Sequence, residues 1–551
     1  MHPRLFWIAL ALLLTTRVLA APSQLRVSVV DDPRTSMGIA WTTPDLVDSV
    51  VRYGTSASYG LEQTGSAPSL AQDIGYIHGV TLTGLSAGTT YHYSVGDGSE
   101  WSDDATFATS GSDPCAAWSF VAMGDDRTQF GTGGHPGVSS NFPEILVEAA
   151  DTGPALIINT GDLVMDGEDE AQWVDYLDST ELVGKEIPIF PVIGNHDTDS
   201  VEGDGANFNK IFYLPRNTSS STEDFYVVRY RNAVFAVLST HSFRGGSTTD
   251  SRAFAQQAEW LDQVLTQNSD ATWKIVSFHA PAFTGGGGGL SHPPNEAGAN
   301  EVLLPLLDAH HVDFVLTGHN HYYERFAAAV QGTDLTRGEP NPDGTVHITT
   351  GGAGAYTMEI GSFSVCFGDV GGTRAGCSGR HHFVNFQIAD GTLTMETWAT
   401  RCQNFGCADS NVELLDTLTI VKPGSASCGG GADAGIPDSA IRSDAATAAD
   451  IADPGDAVLA VDGSATTPDA AAQFDASAPL DAGIGLERTS TDVVQVVADA
   501  AAWTPQDAAE PFETVSPGCG CGLAGRGPVL EAILGVLALW VLRRRSHRRA
   551  L

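Results

Sequence analysis

Positive charge is what this sequence has least of. Its 551 residues carry 28 Lys and Arg against 67 Asp and Glu, a formal net charge of −39. That balance argues against a nucleic-acid partner, because a phosphate backbone is gripped by clustered cations. It leaves room for a small phosphorylated substrate, since a bound metal can supply positive charge locally. Internal repeats of solenoid period are absent too, which argues against a repeat array. Cysteine is sparse, at eight residues. What the chain does have is apolar content: 42% of residues are hydrophobic and 17% charged, enough to bury cores in two to four domains.

The N-terminus, MHPRLFWIALALLLTTRVLAAPS, has a basic start, an apolar run from Leu5 to Leu14 and a small-residue end. It reads as a secretory signal over residues 1–21, cleaved near Ala20 or Ala21; a buried N-terminal helix is the alternative. In an exported chain the cysteines are expected as disulfides. Cys366 with Cys377 and Cys402 with Cys407 would close small loops, and Cys115 with Cys428 would tie the ends of the central region.

Residues 22–111 read as an all-β sandwich. Short alternating runs (LRVSVV, MGIAWTT, SVVRYGT, IHGVTLTGL, TTYHYSVG) recur between turn residues, which suggests about seven strands with Trp41 and Tyr91 in the core. From Cys115 to Pro423 the pattern is α/β. The apolar runs SFVAM, ALIINT, IPIFPVIG, AVFAVLST, WKIVSFH and VDFVLTGH alternate with amphipathic stretches such as NFPEILVEAA and AFAQQAEWLDQVL. Residues 424–516 are rich in Ala and Asp. Positions 429–516 hold sixteen acids against two arginines, the composition of a disordered, self-repelling linker. The segment 517–551 ends in an apolar run, 528–542, followed by RRRSHRR. A transmembrane helix with its basic end in the cytoplasm is expected there, although the run is short for a span; an amphipathic surface helix is the alternative.

Five of the apolar runs end in a polar residue that can hold a metal. These are Asp125 after SFVAM, Asp162 after ALIINT, Asn195, His196 and Asp197 after PVIG, His279 after IVSF, and His319 and His321 after FVLTG. Singly, a GD pair is a turn or a helix cap, and a buried histidine is a satisfied core residue. Together they are the same kinds of ligand at the same end of five strands, where α/β sheets form their ligand crevice. In an extended segment His319 and His321 would point to one face, and so could serve two ions roughly 3.5–4 Å apart. Imidazole, carboxylate and amide oxygen suit Fe, Zn or Mn better than Ca.

The series GD, GDLVMDG, GNHD, FHAPAF and GHNH resembles the calcineurin-like metallophosphoesterases. With WTTPD, VVRYGTS and GHNHYYER, residues 23–420 are similar to the purple acid phosphatases, which carry an N-terminal fibronectin type III-like domain. The resemblance implies a fibronectin type III-like sandwich followed by a metallophosphoesterase domain, itself a β-sandwich flanked by helices. It implies two di- or trivalent metal ions, Fe with Zn or Mn. Asp125 and His321 would bind the first, Asp162 would bridge, and Asn195, His279 and His319 would bind the second. His196 would contact substrate or protonate the leaving group. His292 would be a further phosphate contact, or else a solvated loop residue.

Two departures from that family stand out. Its purple members place a tyrosine, which ligates Fe(III) and gives the colour, where this chain has Met165. Other metallophosphoesterases place a histidine where it has Arg127. The first metal thus lacks a ligand, which water, Asp126 or a neighbouring residue could replace, and no purple colour is expected. Arg127 would clamp the substrate phosphate or make a structural ion pair. The expected activity is hydrolysis of phosphate monoesters with a metal-activated hydroxide as nucleophile. A phosphodiesterase with the same site and a catalytically impaired surface binding protein are the alternatives. The C-terminal GCGCGLAG with Cys519 and Cys521, the apolar helix and the arginines resemble myxobacterial C-terminal sorting signals. That resemblance implies attachment to the cell surface or outer envelope, a plain membrane anchor or secretion being the alternatives.

Overall fold

The computed structural model describes residues 21–128, 137–198, 206–218, 222–240, 254–285, 292–295, 298–332, 338–357, 366, 374–403, 406–407, 412–422 and 441–444. The signal, the sorting segment with its apolar run, and the linker apart from 441–444 lie outside them. Among the described residues no helix is long and apolar enough to cross a membrane. Residues 441–444, within the expected linker, form a strand that pairs antiparallel with Glu413–Val421.

The N-terminal part is a sandwich of two four-stranded sheets. One orders Ser23–Ser28, Ser36–Thr43, Gly75–Thr83 and Ser69–Ala71; the other orders Leu61–Thr64, Val50–Gly54, Thr90–Gly96 and Ala105–Ala108. Period-two alternation puts Leu25, Val27, Met37, Ile39, Trp41, Tyr91, Tyr93 and Val95 between them. There are eight strands rather than seven. Leu61–Thr64 is exposed throughout, so it carries no apolar alternation by which sequence could reveal it.

Every residue of Ser36–Thr43 is buried, because the outer face of its sheet packs on the following part. Gly38 and Gly79 leave room for the Tyr213 ring, whose hydroxyl meets Thr81 Oγ1 at 2.7 Å. Gln24 Nε2 donates to Asp178 Oδ1 at 2.8 Å, the Leu25 N–H to Glu181 Oε1 at 3.3 Å, and Tyr93 Oη to the Lys185 carbonyl at 2.7 Å. The two parts belong to one compact unit.

The second part packs two seven-stranded sheets face to face. The first orders Ile189–Pro191, Ile157–Asn159, Trp118–Met123, His382–Ala389, Thr392–Ala399, Glu413–Val421 and Ile441–Asp444. The second orders Tyr226–Tyr230, Ala233–Val237, Trp273–Ser277, Phe314–Thr317, Val346–Thr350, Tyr323–Phe326 and Arg374–Ser378. Phe120 stacks on Phe386 at 4.4 Å and meets Phe235 edge-on at 5.1 Å, joining the sheets. The helices Phe142–Ala150 and Glu170–Gly184 contribute Phe142, Ile145, Trp173 and Leu177 to the core of the first sheet. Phe254–Gln267 and Asn300–Ala309 cover the second with Leu261, Leu265, Leu303 and Leu307. The expected helix-flanked sandwich is what forms.

Disulfides join Cys366 to Cys377 and Cys402 to Cys407. Cys115 is disulfide-bonded as well, while Cys428 lies outside the described residues.

Candidate metal centre

Parallel pairing sets the place of the site. Trp118–Met123, Ile157–Asn159 and Ile189–Pro191 run parallel, as do Trp273–Ser277 and Phe314–Thr317. Their carboxyl ends therefore emerge together, and the loops that follow bring the polar residues to one place. Two donor clusters result, Asp125–Asp162–His321 and Asp162–His279–His319, every member buried and the donor atoms of each within 4.8 Å of one another. Asp162 is common to both. Its Oδ1 lies 3.2 Å from His279 Nε2, and its Oδ2 faces Arg127.

The backbone is bent to achieve this. Asp125, Asp162 and His319 have φ of 61°, 56° and 69°, the left-handed region that side chains other than glycine seldom occupy. The extended geometry expected for residues 319–321 is therefore not present. His319 turns left-handed so that its N–H reaches both carboxylate oxygens of Asp125, at 3.1 and 2.9 Å. The two imidazoles still arrive at one centre, by a bend rather than a pleat. Gly318 makes this possible, since a Cβ there would stand 2.4 Å from Asp125 Oδ2.

Hydrogen bonds fix which atom of each ligand points inward. His279 Nδ1 faces the Thr160 carbonyl at 2.8 Å, so its Nε2 is left for a metal. His321 Nδ1 faces the Tyr356 carbonyl at 3.2 Å, which likewise leaves Nε2. Asn195 Oδ1 is buried with no hydrogen-bond partner, as an amide oxygen waiting for a cation would be. Burial alone would push Asp162 upward, but His279, His196 and Arg127 hold it well below the usual carboxylate range. His279 goes the other way, up to about 9: burial opposes its charge, and Asp162 and Asp125 overcome it. The donor set fits a dinuclear metal centre.

His196 is half-buried beside this cluster. Its N–H donates to Asp162 Oδ1 at 3.0 Å and its Nδ1 to the Met165 carbonyl at 2.8 Å. Burial pushes its pKa down. His292 is not a free loop residue: its ring lies on His319, centroids 3.6 Å apart, and its N–H donates to Asn320 Oδ1. Asp126 belongs to neither cluster, and its Oδ1 is buried without a hydrogen-bond partner. Its Oδ2 accepts from Asn159, and burial raises its pKa far above the ordinary value. Arg127 makes an ion pair, its Nε lying 3.0 Å from Asp162 Oδ2 with the side chain buried.

Sequence reasoning gave no role to several residues that hold the site. Asp197 accepts four backbone N–H groups, from Asp162, Leu163, Val164 and Gly194, pinning two ligand loops together. Its position in GNHD was the available signal. The Thr160 and Tyr356 carbonyls had none, because any residue supplies a carbonyl. The YER of GHNHYYER also acts here. Arg325 and Tyr323 bond the buried Asp416, and Glu324 accepts from the Gly285 N–H and from Arg374.

Residues 22–109 match the model of the purple acid phosphatase N-terminal domain, and residues 120–323 that of the calcineurin-like phosphoesterases. Purple acid phosphatase 18 of Arabidopsis thaliana is 27% identical over 357 residues, 61% of this chain and 72% of the relative. Purple acid phosphatase 22 of the same plant is 29% identical over 350 residues, 60% and 72% respectively. The fold is shared with a purple acid phosphatase from yellow lupin seeds, with a TM-score of 0.56 at 19% identity, covering 72% of this chain and 74% of that one. The chain is therefore a purple acid phosphatase-like member of the calcineurin-like phosphoesterases, a phosphoric ester hydrolase.

Proposed function

We propose that this hydrolase acts on phosphate monoesters, with His196 delivering the proton to the leaving group. The observation that carries the reading is the pair of donor clusters sharing Asp162, with the unpartnered Asn195 oxygen beside them. Ions held there would lower the pKa of the attacking water and offset charge on the phosphoryl oxygens. Asp125, Asp162, Asn195, His279, His319 and His321 would hold them. The hydrogen bonds to Thr160 and Tyr356 keep the two imidazoles aimed. His196 is fixed through Nδ1 to the Met165 carbonyl, which turns Nε2 outward. An arriving phosphate anion would favour its protonated form, against the downward push of burial. His292, lying on His319, would be a further phosphate contact.

The disulfides support an exported protein. We further propose attachment to the cell surface through the C-terminal segment.

The test is hydrolysis by the full chain of p-nitrophenyl phosphate and bis-p-nitrophenyl phosphate, with bound metal measured in the same sample. Monoester turnover supports the proposal. Preference for the diester makes it a phosphodiesterase, and bound metal without turnover makes it a binding protein. His196→Asn should lower kcat on an alkyl phosphate by roughly 10²–10⁴-fold, and by much less on the nitrophenyl ester, whose leaving group needs no proton. Equal losses on both substrates would remove the acid role.

A further inference from the structure

We infer that Arg127 is a built-in cation at the first metal position, so that the site takes one ion tightly and a second only by displacing the guanidinium. This rests on the metallophosphoesterase reading and refines it. The second position has Asp162, His279 and His319, which face one another at 3.2 Å with no other cation among them, and the resemblance adds Asn195. The first has Asp125, Asp162 and His321; the His319 N–H engages Asp125, and a guanidinium engages the other two. Arg127 Nε donates to Asp162 Oδ2 at 3.0 Å, and Nη2 lies 3.2 Å from His321 Nε2.

These are the donor atoms that would face a first ion. Asp162 Oδ1 is turned to His279, so Oδ2 is what remains for the first position. His321 Nδ1 is held by the Tyr356 carbonyl, so only Nε2 can ligate. The single lone pair of His321 Nε2 cannot accept an N–H and bind a metal at once, and an ion on Asp162 Oδ2 would meet the guanidinium charge. The guanidinium is also well seated: Nη1 reaches the Thr128 carbonyl at 3.2 Å and Met165 Sδ at 3.3 Å. Arg127 and Met165, the two departures from the pattern of the resembled family, thus act as a pair. The thioether offers a soft, weak acceptor to the guanidinium, where a tyrosine phenolate would offer a ligand to the metal. The result is a positive charge beside Asp162 that needs no second ion.

The test uses the full chain, stripped with a chelator and titrated with Mn2+ by calorimetry and by paramagnetic resonance. The wild-type protein should bind one equivalent tightly and give the signal of isolated Mn2+. A second equivalent should bind at least about tenfold more weakly. Arg127→His, which adds a ligand, and Arg127→Met, which only removes the charge, should each tighten the second equivalent and give a spin-coupled pair. Two ions of equal affinity with a coupled signal in the wild type would overturn the inference and leave the hydrolase reading intact. That measurement needs no variant, so a misfolded substitution cannot rescue the idea. No ion bound by any of the three proteins would overturn the metallophosphoesterase reading itself, and this inference with it.

Discussion

Replacing Asp416 by alanine tests whether the motif following the metal-binding histidines is a buckle. The Asp416 carboxylate accepts from Tyr323 Oη at 2.7 Å and from Arg325 Nε and Nη2 at 2.7 and 3.1 Å, and all three residues are buried. Removing the acid strands a buried guanidinium, which costs about 3–5 kcal/mol. The orphaned phenol adds about 1–3 kcal/mol. The expected loss is therefore about 5 kcal/mol, read as a lowered midpoint in urea. Because Tyr323 follows His321 by two residues, metal affinity should fall with it. Arg325→Met combined with Asp416→Leu removes both charges, and should restore most of the loss. The reasoning fails if Asp416→Ala costs under about 1 kcal/mol, or if the double variant costs the sum of the two singles.

Three further outcomes are expected. Asp197→Ala leaves four loop N–H groups without an acceptor, so stability should fall by roughly 2–4 kcal/mol and activity by more than tenfold, checked by thermal unfolding and turnover. Burial pushes His78, stacked on Trp41 in the sandwich, down to about 4, whereas the unfolded imidazole titrates near 6.5. The unfolded state then binds the extra proton, so this contribution, about 3 kcal/mol, is complete above pH 6.5 and is lost as pH falls from 6.5 towards 4. His78→Gln should flatten that part of the stability profile, and an unchanged slope would refute it. Iron-loaded protein should be colourless in the visible, since Met165 replaces the phenolate, and Met165→Tyr should introduce an absorption band.

What the sequence disclosed and what it hid divide along a physical line. Side chains with an intrinsic preference were legible: the alternation around Trp41 and Tyr91, the buried parallel strands, and the acids and imidazoles at their ends. Backbone roles were not. The left-handed turns at Asp125, Asp162 and His319 use residues whose propensities do not announce them, and the carbonyls of Thr160 and Tyr356 are chemically anonymous. The four residues Leu61–Thr64 form a strand only because Val50–Gly54 offers an edge. Arg127 was visible as a departure, but a clamp and an ion pair use the same side chain, and its contact with Asp162 is not written in the residue type.

The Tyr213 ring, set against Gly38 and Gly79 with its hydroxyl on Thr81, bears on how such a chain can be cut or recombined. A fragment beginning at Cys115 would carry a naked aromatic face, together with Asp178 and Glu181 deprived of their donors. Conversely, a foreign sandwich grafted in front would need two glycines at matching positions, since a single methyl group there collides with the tyrosine. The smallest inheritable hydrolase is thus the pair of modules, and the glycines of the first are as much a part of the enzyme as the histidines of the second.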